Sequence, residues 1–217
     1  MSYPRISQRF VLAFCILLLI PALLASKNFV KPVAQPAKTY PAHDSHPDEK
    51  LTIAADPYDT PDKAKIFSIN FQNAGFLPIF FIVTNEGDQP VSIAKMQITL
   101  ITANHSKLTP TSPDDIYRRL SNPQGQTRPS PFPIPHQKVK GAVGKKEMDE
   151  IESSQFEARA VEPHGTQSGF LFFDIGGIAS PLAGANLDIT GVDDAKGNEL
   201  MYFEISMPKD NSASAKP

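Results

Sequence analysis

Two short stretches constrain this chain more than any other feature: FLPIFFIVT, Phe76 to Thr84, and GFLFFDI, Gly169 to Ile175. Side chains of a strand alternate between faces, so runs that are apolar at successive positions predict strands covered on both sides. Both are too short for buried helices. The second run follows Glu162-Pro163-His164-Gly165. Proline there removes an amide donor and glycine tolerates dihedrals closed to other residues, which predicts a chain reversal into the strand.

From Leu51 onward, apolar runs alternate with turn residues. In AKIFSINF, Phe67, Ile69 and Phe71 form one apolar face, which predicts a strand. Asn85 to Pro90 reads as a hairpin loop. VSIAKMQITLIT carries Val91 and Ile93 on one face but Met96, Ile98 and Leu100 on the other. A bulge near Ala94-Lys95 would absorb that slip, as in sheets that bend or pass between layers. NLDITGV points Leu187 and Ile189 inward, and ELMYFEISM sets Met201, Phe203, Ile205 and Met207 on one face. About seven strands result, without the regular helices that parallel strands need. The expected fold is mainly β, an antiparallel two-layer sandwich over residues 51–208.

Residues 112–155 depart from the strand pattern. Ser112 is a capping residue, Pro113 stands at the first helical position, and Asp114 and Asp115 precede IYRRL. These predict a short helix. KKEMDEIESSQFEARA, with Met148, Ile151 and Gln155 at helical spacing, predicts a second. The proline-rich stretch Ser121 to Pro135 between them reads as a long surface loop.

The N-terminus carries Arg5 and Arg9 without acids, then FVLAFCILLLIPALLA, then a polar SKNF. This is the layout of a secretory signal. Residues 1–26 are therefore read as a signal peptide or membrane anchor, and an uncleaved Phe10 to Val30 would span a bilayer as an N-terminal apolar helix. The folded part is expected outside the cytoplasm: periplasmic, secreted, or anchored at the inner membrane. The single cysteine, Cys15, lies in this leader, so the folded part forms no internal disulfide and no cysteine-based zinc site. Residues 27–50 hold four prolines and few large apolar side chains, which predicts a disordered linker. Residues 209–217 read as a disordered tail.

Removing Arg5 and Arg9 with the leader leaves 19 of the 21 basic side chains against 23 acidic ones. The lysines from Lys138 to Lys146 are followed directly by acids, the pattern of a solvated face. No nucleic-acid partner is implied.

Few residues suggest chemistry. His43, Asp44 and His46 are ligand types for zinc or copper, although they lie in the predicted linker. Gly165-Thr166-Gln167-Ser168-Gly169 lacks the glycine spacing and the strand-to-helix context of a nucleophile turn. Asp114-Asp115 and Asp193-Asp194 fit helix-start and turn roles. There is no phosphate-cradling glycine loop and no dinucleotide fingerprint, so no cofactor is implied. The expected recognition surface is Ile116 to Lys140, with Tyr117, Arg118, Arg119, Phe132 and His136 as candidate binding residues. Within it, PSPFPIPH favours an extended left-handed conformation that partners dock at little entropic cost.

PIFFIVTNEGD, Pro78 to Asp88, and VEPHGTQSGFLFF, Val161 to Phe173, carry a family resemblance. They are similar to the bacterial extracytoplasmic immunoglobulin-like domains of unknown function, in which a strand ends in Asn and a small or acidic turn, and a proline-glycine turn leads into Gly-x-Leu-x-Phe. The resemblance covers Ile66 to Met207. It implies an immunoglobulin-like β-sandwich with one or two short helices in an inserted loop, and it carries over no catalytic residue. The chain has no tryptophan and no cysteine pair in the domain, so its relatives are disulfide-free. The expected function is a non-enzymatic binding module for an envelope protein or surface polymer. The alternatives are a periplasmic metal-binding protein using His43, His46 and a further histidine, and a hydrolase with an unrecognised site.

Overall fold

The computed structural model describes residues 29–121 and 143–207. Strands β1 (His43–His46), β2 (Leu51–Pro57), β3 (Phe76–Asn85) and β8 (Thr166–Asp174) form one antiparallel sheet in the order β1-β2-β3-β8. A second has the order β10-β9-β5-β6, from β5 (Gln97–Ile101), β6 (Lys107–Leu108), β9 (Asn186–Thr190) and β10 (Phe203–Ser206). Two short strands, β4 (Val91–Ser92) and β7 (Ala160–Val161), pair with each other. The protein is mainly β, with antiparallel sheets and few helices.

All ten residues of β3 are buried because its two faces serve two clusters. Leu77, Ile79, Phe81 and Val83 join Leu171 and Phe173 of β8, and meet Ile98, Leu100, Leu187, Ile189, Phe203 and Ile205 of the second sheet. The alternate residues Phe76, Phe80 and Ile82 join Phe170 and Phe172 on the opposite face. That outer face is covered by Ala37, Tyr58, Phe67 and Phe71, by Ile116 of α2 (Pro113–Ser121) and by Ile151 of α3 (Lys145–Ser154). An antiparallel sheet commonly leaves one face to water; here an irregular aromatic layer replaces water. Pro78 is tolerated in a central strand because β2 has ended beside it, and its carbonyl accepts from Tyr58 N–H at 2.9 Å.

The edges at β8, β1 and β10 are covered as well. Phe156 N–H donates to Phe170 O at 3.1 Å and Thr111 N–H to Phe172 O at 2.7 Å, sealing the outer side of β8. On the opposite side β1 meets β10: Asp44 Oδ2 accepts from Glu204 N–H at 2.9 Å, and the His46 ring stacks on Phe203 at 3.9 Å.

Several sequence expectations are corrected. The predicted linker over 27–50 contains β1 and a 3-10 turn at Ala37–Thr39. Pairing with β2 and the bond from Ala37 N–H to Thr84 Oγ1 at 2.9 Å order a segment whose own side chains bury little. Where a strand is expected at Phe67, Ile69 and Phe71, the chain instead runs through bends and turns after a short helix, α1 (Pro61–Ala64). Phe67 and Phe71 are buried all the same, across the outer face of the first sheet. The Asn85–Pro90 loop joins β3 to β4, which lies in another sheet, so it is a crossover and not a hairpin. The phase slip at Ala94-Lys95 is a turn between β4 and β5, where the chain changes sheets. Phe29 packs against the outer cluster. The predicted leader 1–26, Phe132, His136 and the tail 209–217 lie outside the described residues.

Candidate functional site

A groove of about 390 Å³ opens in the outer layer. Tyr58, Phe67 and Phe71 are its buried floor, Pro61, Ala64 and Pro78 stand in its walls, and Lys65, Ser68, Asn70 and Gln72 form an exposed rim. Its walls have local causes. Thr60 caps α1 through its side-chain oxygen, which accepts from Lys63 N–H, and Pro61 presets the first helical turn. The Asn70 side chain accepts from Asn73 N–H at 3.0 Å, and Gly75, at φ 80°, releases the chain into β3.

The far wall is held by a carboxylate from another element. Glu150 of α3 is 3 % exposed. It accepts from Ser68 N–H at 2.9 and 3.2 Å, from Ile69 N–H at 3.4 Å and from the Ser68 hydroxyl. A buried carboxylate is tolerated when its oxygens are saturated with donors, and one turn supplies them all. Glu150 therefore ties α3 to the groove wall.

Tyr58 meets Phe170 edge-on at 4.8 Å, Phe67 at 6.1 Å and Phe80 at 6.3 Å. Burial, with Asp56 and Tyr40 adding negative potential, pushes its phenol up to about 12. An unfolded tyrosine titrates near about 10, so the fold prefers the neutral phenol. That contribution to stability is complete below about pH 10 and is lost as pH rises toward about 12. Urea midpoints measured at stepped alkaline pH should fall more steeply for the wild type than for Tyr58→Phe. Parallel curves would show that this phenol does not couple to folding.

Lys65 is the charged residue among those lining the groove, and it pairs with Asp62 at 2.5 Å. Such a lining offers ring faces, prolines and a polar rim. It can hold an apolar or ring-bearing group.

The candidate binding residues fare differently from one another. Arg119 is committed to the fold: Nη1 donates to Asp174 Oδ1 at 2.7 Å, Nη2 to Asp174 Oδ2, and the guanidinium lies 4.9 Å from the Phe76 ring centre. Burial pushes the Asp174 carboxyl up, but the bonds from Arg119 and Gly176 N–H and the Arg119 charge outweigh it and hold the group below its usual value. Arg118 is exposed and pairs with Asp115 at 2.6 Å, and Tyr117 is half-buried on the same helix.

The histidine motif is drawn into the sheet edge. His43 Nδ1 is 2.6 Å from Tyr40 O, whereas His46 has Glu49 at 2.7 Å on Nδ1 and Asp44 at 3.4 Å on Nε2. Glu49 also accepts from Met201 N–H at 3.3 Å. Alternation along β1 keeps the two imidazoles from converging on one ion. Among the described residues no three His, Cys, Asp or Glu groups are placed to hold a metal. Ser168 stands within the β8 ladder opposite Ile82, while Asp194 caps the Lys196 and Asn198 amides at 2.8 Å.

Sequence reasoning missed Glu150, Tyr58 and Asn85. Asn85, 1 % exposed, donates through Nδ2 to Gln89 O at 2.7 Å and Val161 O at 3.2 Å, and accepts from Gly87 N–H at 2.8 Å. It joins the crossover to the proline-glycine turn, whose Gly165 O accepts from Asn85 N–H at 3.0 Å. An Asn closing a strand ahead of a glycine was its only signal. Among the described residues no helix is long and apolar enough to cross a membrane. Compared with known proteins, the chain matches no family model and no curated sequence.

Proposed function

We propose that this chain is an extracytoplasmic binding protein: an immunoglobulin-like β-sandwich, exported by or anchored through its N-terminal apolar segment, that recognises an envelope protein or surface polymer without catalysing a reaction. The observation that carries this reading is the groove over Tyr58, Phe67 and Phe71, a concavity rich in rings and prolines. Two four-stranded antiparallel sheets around one apolar cluster support the sandwich. The carboxylate beside the groove, Glu150, is bonded into the fold.

The contact surface moves with this reading from Ile116–Lys140 to the groove. Deleting that whole segment would remove Ile116, fully buried, and Arg119, bonded to Asp174, so it tests folding before recognition. Ala64→Arg with Ile69→Arg fills the groove from partly exposed positions. Wild-type protein should capture a partner from envelope extract, and the double variant should lose it while keeping its thermal midpoint. Undiminished capture by a folded double variant rules the groove out. Loss on changing Tyr117 and Arg118 instead would return recognition to α2.

A further inference from the structure

The rings in the groove are crowded, and what they show to a ligand is narrow. Phe29 stacks on one face of Phe67 at 5.4 Å with the rings 5° apart, and the Lys63 ammonium stands 5.6 Å from the centre of the Tyr58 ring. Phe170 presses on both from below, 4.8 Å from Tyr58 and 4.9 Å from Phe67. Tyr58 is therefore only 9 % exposed, Phe67 8 % and Phe71 2 %. The planes of Tyr58 and Phe67 cross at 69°, and those of Phe67 and Phe71 at 83° with centres 5.0 Å apart. Rings at such angles enclose wedge-shaped notches. A sugar ring lays its C–H face flat on a broad aromatic face, and this floor gives it no such seat. A pyrrolidine ring is compact and apolar, and grooves lined by aromatic side chains take it edge-first.

Charge narrows the ligand further. The cations beside the groove are already paired, Lys65 with Asp62 and Lys63 with Asp56, each at 2.5 Å. Asp56 also sets a negative potential at the Tyr58 phenol. An anionic ligand would have to compete with those carboxylates and would be repelled at the phenol. A peptide carbonyl carries no charge and accepts the phenol proton. The left-handed polyproline helix has no internal hydrogen bonds, so its carbonyls are free to do this, and its preformed backbone loses little entropy on docking.

Resting on the groove as the recognition surface proposed above, we infer that its ligand is an uncharged, proline-rich segment of a partner protein in the extended left-handed conformation. Pyrrolidine rings sit in the notches between Tyr58, Phe67 and Phe71, and one ligand carbonyl accepts from the Tyr58 hydroxyl.

The probe is fluorescein-labelled decaproline, with a glycine–serine decapeptide as control, titrated against the full chain in nonionic detergent and read by fluorescence anisotropy. Decaproline should bind and the control should not, with an affinity that changes less than about twofold between low and high salt because no ion pair forms. Tyr58→Phe removes the donor alone and should weaken binding about two- to tenfold. Ala64→Arg with Ile69→Arg should abolish it, and both variants are checked for a wild-type thermal midpoint. Equal binding of the two peptides, or no binding of decaproline up to millimolar concentration, overturns the inference; if the double variant still loses capture from envelope extract, the groove stands with another ligand. Capture destroyed by periodate, which cleaves sugar diols, and not by protease assigns the groove to a surface polymer and also overturns the peptide. Undiminished decaproline binding by the folded double variant overturns it by placing the site elsewhere.

Discussion

Phe170→Ala should cost about 3–5 kcal/mol of folding stability, the range for deleting a large aromatic from a packed interior. Phe170 is fully buried at the centre of the outer cluster, 4.8 Å from Tyr58, 4.9 Å from Phe67 and 5.0 Å from Phe80. It stands opposite Phe80 in the β3–β8 ladder, so its removal leaves a void between a rigid sheet and the layer above. Collapse into that void is limited by Glu150, which holds the Ser68 turn, and by the β8 edge bonds. Domains of this size are stable by about 5–15 kcal/mol, so the loss is a large share of the total. Urea unfolding should show a lower midpoint with an unchanged slope. A cost under about 1 kcal/mol would mean that the outer layer contributes little to folding.

Gly169→Ala should also be damaging, for the opposite reason. A Cβ on Gly169 would lie 2.5 Å from Gln155 O and 2.5 Å from Phe156 Cα, both backbone atoms that no rotamer change can move. Overpacking of this kind costs about 1–3 kcal/mol, and Gly169→Val should exceed that range. The segment at Gln155 and Phe156 would have to lift away, breaking the bond from Phe156 N–H to Phe170 O. The edge of β8 would then stand open to pairing with another chain. Light scattering beside the unfolding curve should therefore show association of the valine variant before it melts. A valine variant as stable and monodisperse as the wild type would refute the close crossing.

Particular residues show how much was legible. The run from Phe76 to Val83 predicts a strand covered on both sides, and every residue of β3 is buried. Ser112, Pro113 and the two acids predict α2, and Ser112 Oγ accepts from Asp115 N–H at 3.2 Å. Leu187 and Ile189, and Phe203 and Ile205, point into the core as their alternation requires. Phe67, Ile69 and Phe71 were illegible because spacing by two describes a strand face, whereas the segment runs through bends and turns and its rings are buried only by packing on Phe170 and Phe172 of β8. Met201 fell in phase with its strand yet is 68 % exposed, since β10 begins only at Phe203. Of the candidate binding residues, Arg119 could not be told from a free cation until Asp174, distant in sequence, was placed beside it.

What the sequence determined by itself was local: which runs are apolar on one face or two, where Ser112, Pro163 and Gly165 start or reverse an element, and that no disulfide supports the domain. Those follow from side-chain periodicity and backbone dihedrals, which act between near neighbours. Tertiary structure decided what covers the first sheet, why a proline-rich segment becomes an edge strand, and where a groove opens. Each of these depends on contacts between residues far apart in the chain, such as Glu150 with Ser68 and Ala37 with Thr84. Their stabilisation exists only after the backbone between them has been ordered, and no local pattern records it.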